Sequence, residues 1–172
     1  MKKDIKWIIE ITILAFIITI LFSLGSQFLL NDVHLLIGIL VIIIFILIGV
    51  IFDIIGVAVQ SSDVVPFHAM ASKKVKTAKT AKIMLENSHK VSSFCNDVIG
   101  DICNIISGSA GLVVSTFISN KYNINITITT LLITSLIAAF TIGGKAIGKG
   151  IAVSKSEIIV NKVTKIVHIL KK

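Results

Sequence analysis

Apolar residues run unbroken for long stretches of this chain, and the polar ones gather between them. Four stretches reach the roughly 20 residues needed to cross ~30 Å of hydrocarbon. They run from about Trp7 to Leu30, Leu35 to Gln60, Ser93 to Ile118 and Ile126 to Gly144. The second is the plainest, since LLIGILVIIIFILIGVIF carries no charge before Asp53. The pattern predicts an all-α integral membrane protein with four transmembrane helices. Between the spans, Pro66 is a natural first-turn residue. Phe67, Met70, Ala71, Val75 and Ala78 then recur at helical spacing with lysines opposite. Near the end Ile159, Val163, Ile166 and Leu170 form a second stripe, with Lys162, Lys165 and Lys172 off it. Both read as juxtamembrane amphipathic helices lying in the membrane surface, at about 66 to 90 and 154 to 171. No internal repeat, low-complexity tract or separate soluble domain interrupts this plan.

Composition agrees with the pattern. The 172 residues are 55% hydrophobic and 15% charged, with mean hydropathy +0.98, against about 45–50% apolar and about 25% charged in soluble domains. All 17 basic residues are lysines, which with 9 acids give a net charge of +8. Nucleic-acid recognition favours arginine forks and interleaved aromatics, and neither is present. The lysines instead sort by side. Lys2, Lys3 and Lys6 precede the first span; Lys73, Lys74, Lys76, Lys79, Lys82 and Lys90 fill the second connection; Lys149, Lys155, Lys162, Lys165, Lys171 and Lys172 follow the last span. The other two connections hold only Asp32, His34 and Lys121. By the positive-inside rule both termini and the 61 to 92 segment are cytoplasmic, as in a multi-pass plasma-membrane protein. Lysines so placed face anionic lipid headgroups. The Lys-Lys start could open a signal peptide, but no small-x-small cleavage site follows and the apolar run continues to Leu30. An uncleaved span is expected, with Trp7 at the interface and Glu10 reaching the headgroups.

Several chemistries are excluded. Cys95 and Cys103 lie eight apart with no second cysteine pair, which suits neither a zinc site nor a disulfide framework. They read as small buried hydrophobes. GGKAIGKG, Gly143 to Gly150, approaches the phosphate-loop pattern but ends in Gly150 where Ser or Thr should hold Mg²⁺, and it follows an apolar span instead of a strand. No Ser/His/Asp or Cys/His arrangement points to an enzyme. His34, His68, His89 and His168 fall in connections or surface helices. Asn125-Ile-Thr127 is a glycosylation sequon on the outer side, relevant only in a eukaryotic secretory pathway.

The informative residues are those a span should exclude, because a mid-membrane charge costs at least ~2.5–3.5 kcal/mol. In the second span Gly49, Asp53, Gly56 and Gln60 share one helical face. In the third, Asp97, Asp101, Asn104, Gly108, Gly111 and Ser115 do so; in the fourth, Thr130, Thr134, Ala138, Thr141, Lys145 and Gly148. Small and polar faces are expected to turn inward, Gly49, Gly56, Gly108 and Gly111 allowing close helix approach. Asp53 and Asp101 are expected at similar depth, where two carboxylates repel unless one is protonated or a cation lies between them. Asp53, Asp101, Asn104 and Gln60 form a hard oxygen set suited to Mg²⁺, Ca²⁺ or Na⁺. Lys145 either pairs with one of the aspartates, in place of a cation, or snorkels to the surface.

Two segments carry a family resemblance. AKTAKIMLENSHKVSSFCNDVIGDICNII, from Ala78, resembles the stretch of the CNNM/CorC (CorB-like) magnesium-transporter family that reads like GAK-x-A-x-x-L-L-E-N ahead of a span with a Gly-Asn-Asn-type cluster. GKAIGKGIA, Gly144 to Ala152, resembles that family's G-E-I-L-P-K-S-L-A, and FDIIGVAVQSS places Asp53 where the family has the first of two paired serines. The likeness covers roughly residues 35 to 165. It implies a homodimer of three-span units, 35–172, with the span in 1–34 as an addition. It further implies that Asp53 and the Gly100, Asp101, Asn104 region occupy ion-coordinating positions, and that Gly144, Lys145 and Lys149 match the terminal motif. The chain differs at Lys145, where the family is acidic, at Gly148, where it has Pro, and at Asp53 and Ile55, where it has serines. No counterpart of the family's cytoplasmic CBS pair or C-terminal domain is expected in these residues. The function implied is divalent cation (Mg²⁺) transport; the alternative is a non-transporting scaffold or accessory subunit in which Lys145 neutralises the acidic centre.

Overall fold

The computed structural model describes residues 2–30, 35–72 and 77–170; side chains at 2–4, 22–23, 26–30 and 170 lie outside the description. Among the described residues the chain is helical and contains no strand. The elements are α1 (Lys2–Leu30), α2 (Leu35–Ser61), α3 (Val65–Ser72), α4 (Ala78–Glu86), α5 (Ser88–Ser93), a π-helical stretch (Phe94–Ile99), α6 (Gly100–Tyr122), α7 (Ile126–Ser154) and α8 (Ser156–Leu170). Three helices are long and apolar enough to cross a membrane: Leu35–Ser61, Ser88–Tyr122 and Ile126–Ser154. The expected first span falls in α1, which is not among these three.

The contacts divide the chain into two units. The first comprises Met1–Val50 with Val98–Gly144, the second Ile51–Asp97 with Lys145–Lys172. In the first unit α6 is the central rod. Its Ile102 and Ile106, with Val98 of the π-helical stretch, pack against Ile11, Ala15 and Ile18 of α1, while Ala110 and Val114 pack with Ile42 of α2 and Ile133 and Ile137 of α7. A Cβ on Gly38 would lie 2.7 Å from Val114, and one on Gly49 3.2 Å from Cys103, so α2 and α6 run antiparallel at a separation only small residues permit. Gly111 is likewise met by Ile137 at 2.6 Å, whereas Gly108 faces open space. The small residues expected to allow close packing therefore do so at Gly49, Gly56 and Gly111 but not at Gly108. Large apolar side chains such as Leu40, Leu47, Leu132, Leu136 and Phe140 point outward, as a lipid-facing surface requires.

The α6–α7 reversal is set by two asparagines. Asn123 takes a left-handed conformation (φ 52°) past the end of α6, which Asn tolerates better than most residues. Asn125 accepts the Thr127 N–H on Oδ1 at 2.9 Å and so caps α7.

The second unit packs α3, α4 and α8 around the lower part of α2. Val59, Phe67, Ala81, Leu85 and Val160 form its buried core. Asp63 Oδ1 accepts the Val65 N–H at 3.1 Å and starts α3, with Pro66 in its first turn. The expected helix over 66 to 90 is thus three helices, and Phe67, only 2% exposed, faces protein and not lipid. Val75, Lys73, Lys74, Lys76, Lys171, Lys172, Asp32 and His34 lie outside the described residues. Cys95 and Cys103 are buried and form no disulfide, as expected of small hydrophobes.

Candidate functional site

Asp53 sits on α2 among isoleucines and valines and is 4% exposed. Its Oδ2 is buried with no hydrogen-bond partner among the described residues. One turn further, Gly56 clears room for a side chain from the π-helical stretch: the amide of Asn96 lies over it, with Cγ 2.8 Å from where a Cβ would stand. Asn96 Nδ2 donates to Ser92 Oγ at 3.3 Å, and Ser92 Oγ donates to Gln60 Oε1 at 3.1 Å. Asn96 Oδ1 is left buried without a donor. Asp53, Gly56 and the exposed Gln60 follow one helical face, so the second unit carries a strip of oxygen-bearing side chains with two buried acceptors unpaired among the described residues. Asn96 lies within the π-helical stretch and Ser92 just ahead of it, and both meet α2.

Of the sequence-predicted site residues, Asp53 and Gln60 belong to this second unit, and Asp101 and Asn104 to the first. Asp101 is exposed, as is Asp97. Asn104 is half-buried and lines a cavity of about 320 Å³ with Gly108, Thr134, Ala138 and Thr141. That cavity joins the predicted polar faces of the third and fourth spans. Yet the third-span face does not turn inward as a whole. Gly111 and Ser115 are buried, but the buried stripe nearer the start of α6 is Gly100, Cys103 and Ser107, next to the expected one. Ser107 and Ser115 donate to carbonyls four residues back, at 2.8 and 2.7 Å, which removes their hydroxyls from helix-to-helix bonding.

Lys145 shares the second unit with Asp53 and makes no ion pair with it within 4.0 Å. The ion pairs described are exposed ones within helices, Lys6–Glu10 and Lys82–Glu86, each at 3.7 Å, worth little in stability. No cluster of three or more His, Cys, Asp or Glu side chains occurs among the described residues, so any cation here depends on amide, hydroxyl and single carboxylate oxygens. Sequence reasoning missed Ser92 and Asn96. Their signal was present, since Ser92, Asn96 and Gly100 are spaced by four, but the more conspicuous aspartates one position on drew the stripe to themselves. Comparison with protein-family models, curated proteins and solved structures returned no match to this chain.

Proposed function

We propose that this chain is a non-enzymatic, cation-handling integral membrane protein of the plasma membrane, with Asp53 as the ion-binding carboxylate and Mg²⁺ or Na⁺ as substrate. The observation that carries the reading is the Asp53 carboxylate, 4% exposed in a helix built to cross lipid, with one oxygen unpaired. A carboxylate so placed costs several kcal/mol unless a positive partner visits it. Lys145 does not supply that partner, which favours a mobile cation over the scaffold alternative. Asn96, Gln60 and Ser92 offer neutral oxygens on the same unit. Few charged ligands make binding moderate, as an ion that must leave requires. Four spans with both termini cytoplasmic, and a homodimer of the CNNM/CorC type, complete the proposal. They are supported by the lysine distribution and by the motifs at Ala78 to Ile106 and Gly144 to Ala152.

The test is thermal unfolding of the purified full chain with increasing Mg²⁺ or Na⁺, for the wild type, Asp53→Asn, Asp101→Asn and Lys145→Met. Stabilisation by the ion that vanishes in Asp53→Asn supports cation handling. A response that survives Asp53→Asn overturns it, and no response in any form, with Lys145→Met destabilised, points to the scaffold.

A further inference from the structure

Helix α8 buries one side in the second unit and leaves the other uncovered among the described residues. Val160 and Thr164 are buried, with Val163 and Val167 beside them. On the opposite side Ile158, Ile166 and Ile169 are 57%, 59% and 71% exposed, interleaved with exposed Lys162 and Lys165. At 3.6 residues per turn these five side chains fall within an arc of about 100°. The sequence stripe through Ile159 and Ile166 runs along the boundary between the two sides, with Ile159 and Val163 half-buried and Ile166 exposed.

We infer that this outer face of α8 is seated in an anionic bilayer surface, the isoleucines entering the acyl boundary and Lys162 and Lys165 binding acidic headgroups. Three observations carry it. The helix begins at Ser156, two residues after α7 ends, and the bonds Lys155 N–H to Ile151 O at 3.0 Å and Ile159 N–H to Lys155 O at 3.1 Å carry helical pairing through the junction. A helix tied so closely to the end of a membrane-crossing one starts at the membrane surface. Its exposed face combines large apolar side chains with lysines, whose long stems lie along apolar surface while the ammonium groups reach phosphate. A protein-binding face of this size would be depleted in lysine. The charge is also one-sided: the acidic residue of α8, Glu157, lies off the arc, and Lys155 extends the positive side upstream.

The inference rests on the membrane-spanning reading of α7 and not on cation handling, so Asp53→Asn leaves it unchanged. The experiment uses the full chain with Trp7→Phe, so that a single tryptophan at 166, 169 or 157 reports. The protein is reconstituted in vesicles of phosphatidylcholine, or of phosphatidylcholine with phosphatidylglycerol, containing lipids brominated near the headgroup end. In anionic vesicles Ile166→Trp and Ile169→Trp are quenched by bromolipid and shielded from aqueous acrylamide, while Glu157→Trp shows the reverse. Adding Lys162→Gln and Lys165→Gln, or removing phosphatidylglycerol, weakens the bromolipid quenching. Acrylamide access at 166 and 169 in anionic vesicles overturns the proposal. So does shielding from both quenchers, the mark of a protein partner or second copy, and so does quenching that is equal in neutral and anionic lipid.

Discussion

Gly56→Ala tests the construction of the polar strip on α2. The new Cβ would stand 2.8 Å from Asn96 Cγ and 3.2 Å from Nδ2, and closer still to Oδ1, so the amide must swing away. That motion breaks the Asn96–Ser92 bond, now 3.3 Å, costing about 0.5–1.5 kcal/mol. Overpacking adds roughly 1–3 kcal/mol. Against these, replacing a mid-helix glycine by alanine returns about 1 kcal/mol of helix propensity. The net expectation is a loss of about 1–3 kcal/mol, which for a chain of this length lowers Tm by roughly 2–4 °C per kcal/mol. The assay is thermal unfolding in detergent of the four forms of a double-mutant cycle, Gly56→Ala and Asn96→Ala singly and together. Because Asn96→Ala removes the atoms the new Cβ would strike, the double variant should be more stable than the sum of the single losses predicts, by 1 kcal/mol or so. Additive losses, or a stabilised Gly56→Ala, would refute the reasoning, since either means that the two side chains do not meet.

Other expectations follow from single positions. Asp53→Asn keeps the shape and removes a buried charge, so without cation it should unfold at a higher temperature than the wild type by a margin on the order of 1–3 kcal/mol; saturating Mg²⁺ at a hundred times Kd should return about 2.7 kcal/mol to the wild type and none to the variant. Phe67→Ala empties the centre of the second unit's core and should cost about 3–5 kcal/mol, read in the same melting experiment. Asn123→Ala places a Cβ without a local polar partner in left-handed backbone and should cost about 1 kcal/mol, while Asn123→Gly should be close to neutral.

What the chain's pattern disclosed and what it concealed have physical causes. The three long apolar helices could be located, because hydrocarbon thickness demands a long run of restricted composition, and Leu35–Ser61 was bounded to within a residue. The helix from Ile126 runs on to Ser154, ten residues past the expected Gly144, because a helix need not stop where its apolar run does. The burial of Asp53 was foreseeable from Gly49 and Gly56 on its face: small residues at i−4 and i+3 mark the side where another helix comes close. The π-helical stretch was not foreseeable, since nothing in FCNDVI distinguishes it from the α-helical sequence on either side. The third span's expected face matches the buried one at Gly111 and Ser115 and departs from it by one position nearer the start of α6. The apolar spacing of the 66 to 90 segment is continuous through Phe67 and Met70 and so predicts one surface helix, yet Phe67 finds a tighter environment among Val59, Leu85 and Val160 than a lipid surface offers. Outward Asp101 and half-buried Asn104 show the limit of spacing arguments, which say which residues share a face but not which way it looks.

The measurement closest to the central claim is infrared difference spectroscopy of the carboxylate stretching region in reconstituted full-length protein, recorded as Mg²⁺ or Na⁺ is added. Ligation of Asp53 predicts a saturable shift of a carboxylate band in the wild type that is missing from Asp53→Asn. A spectrum that the ion leaves unchanged, or a shift that Asp53→Asn retains, would contradict the account.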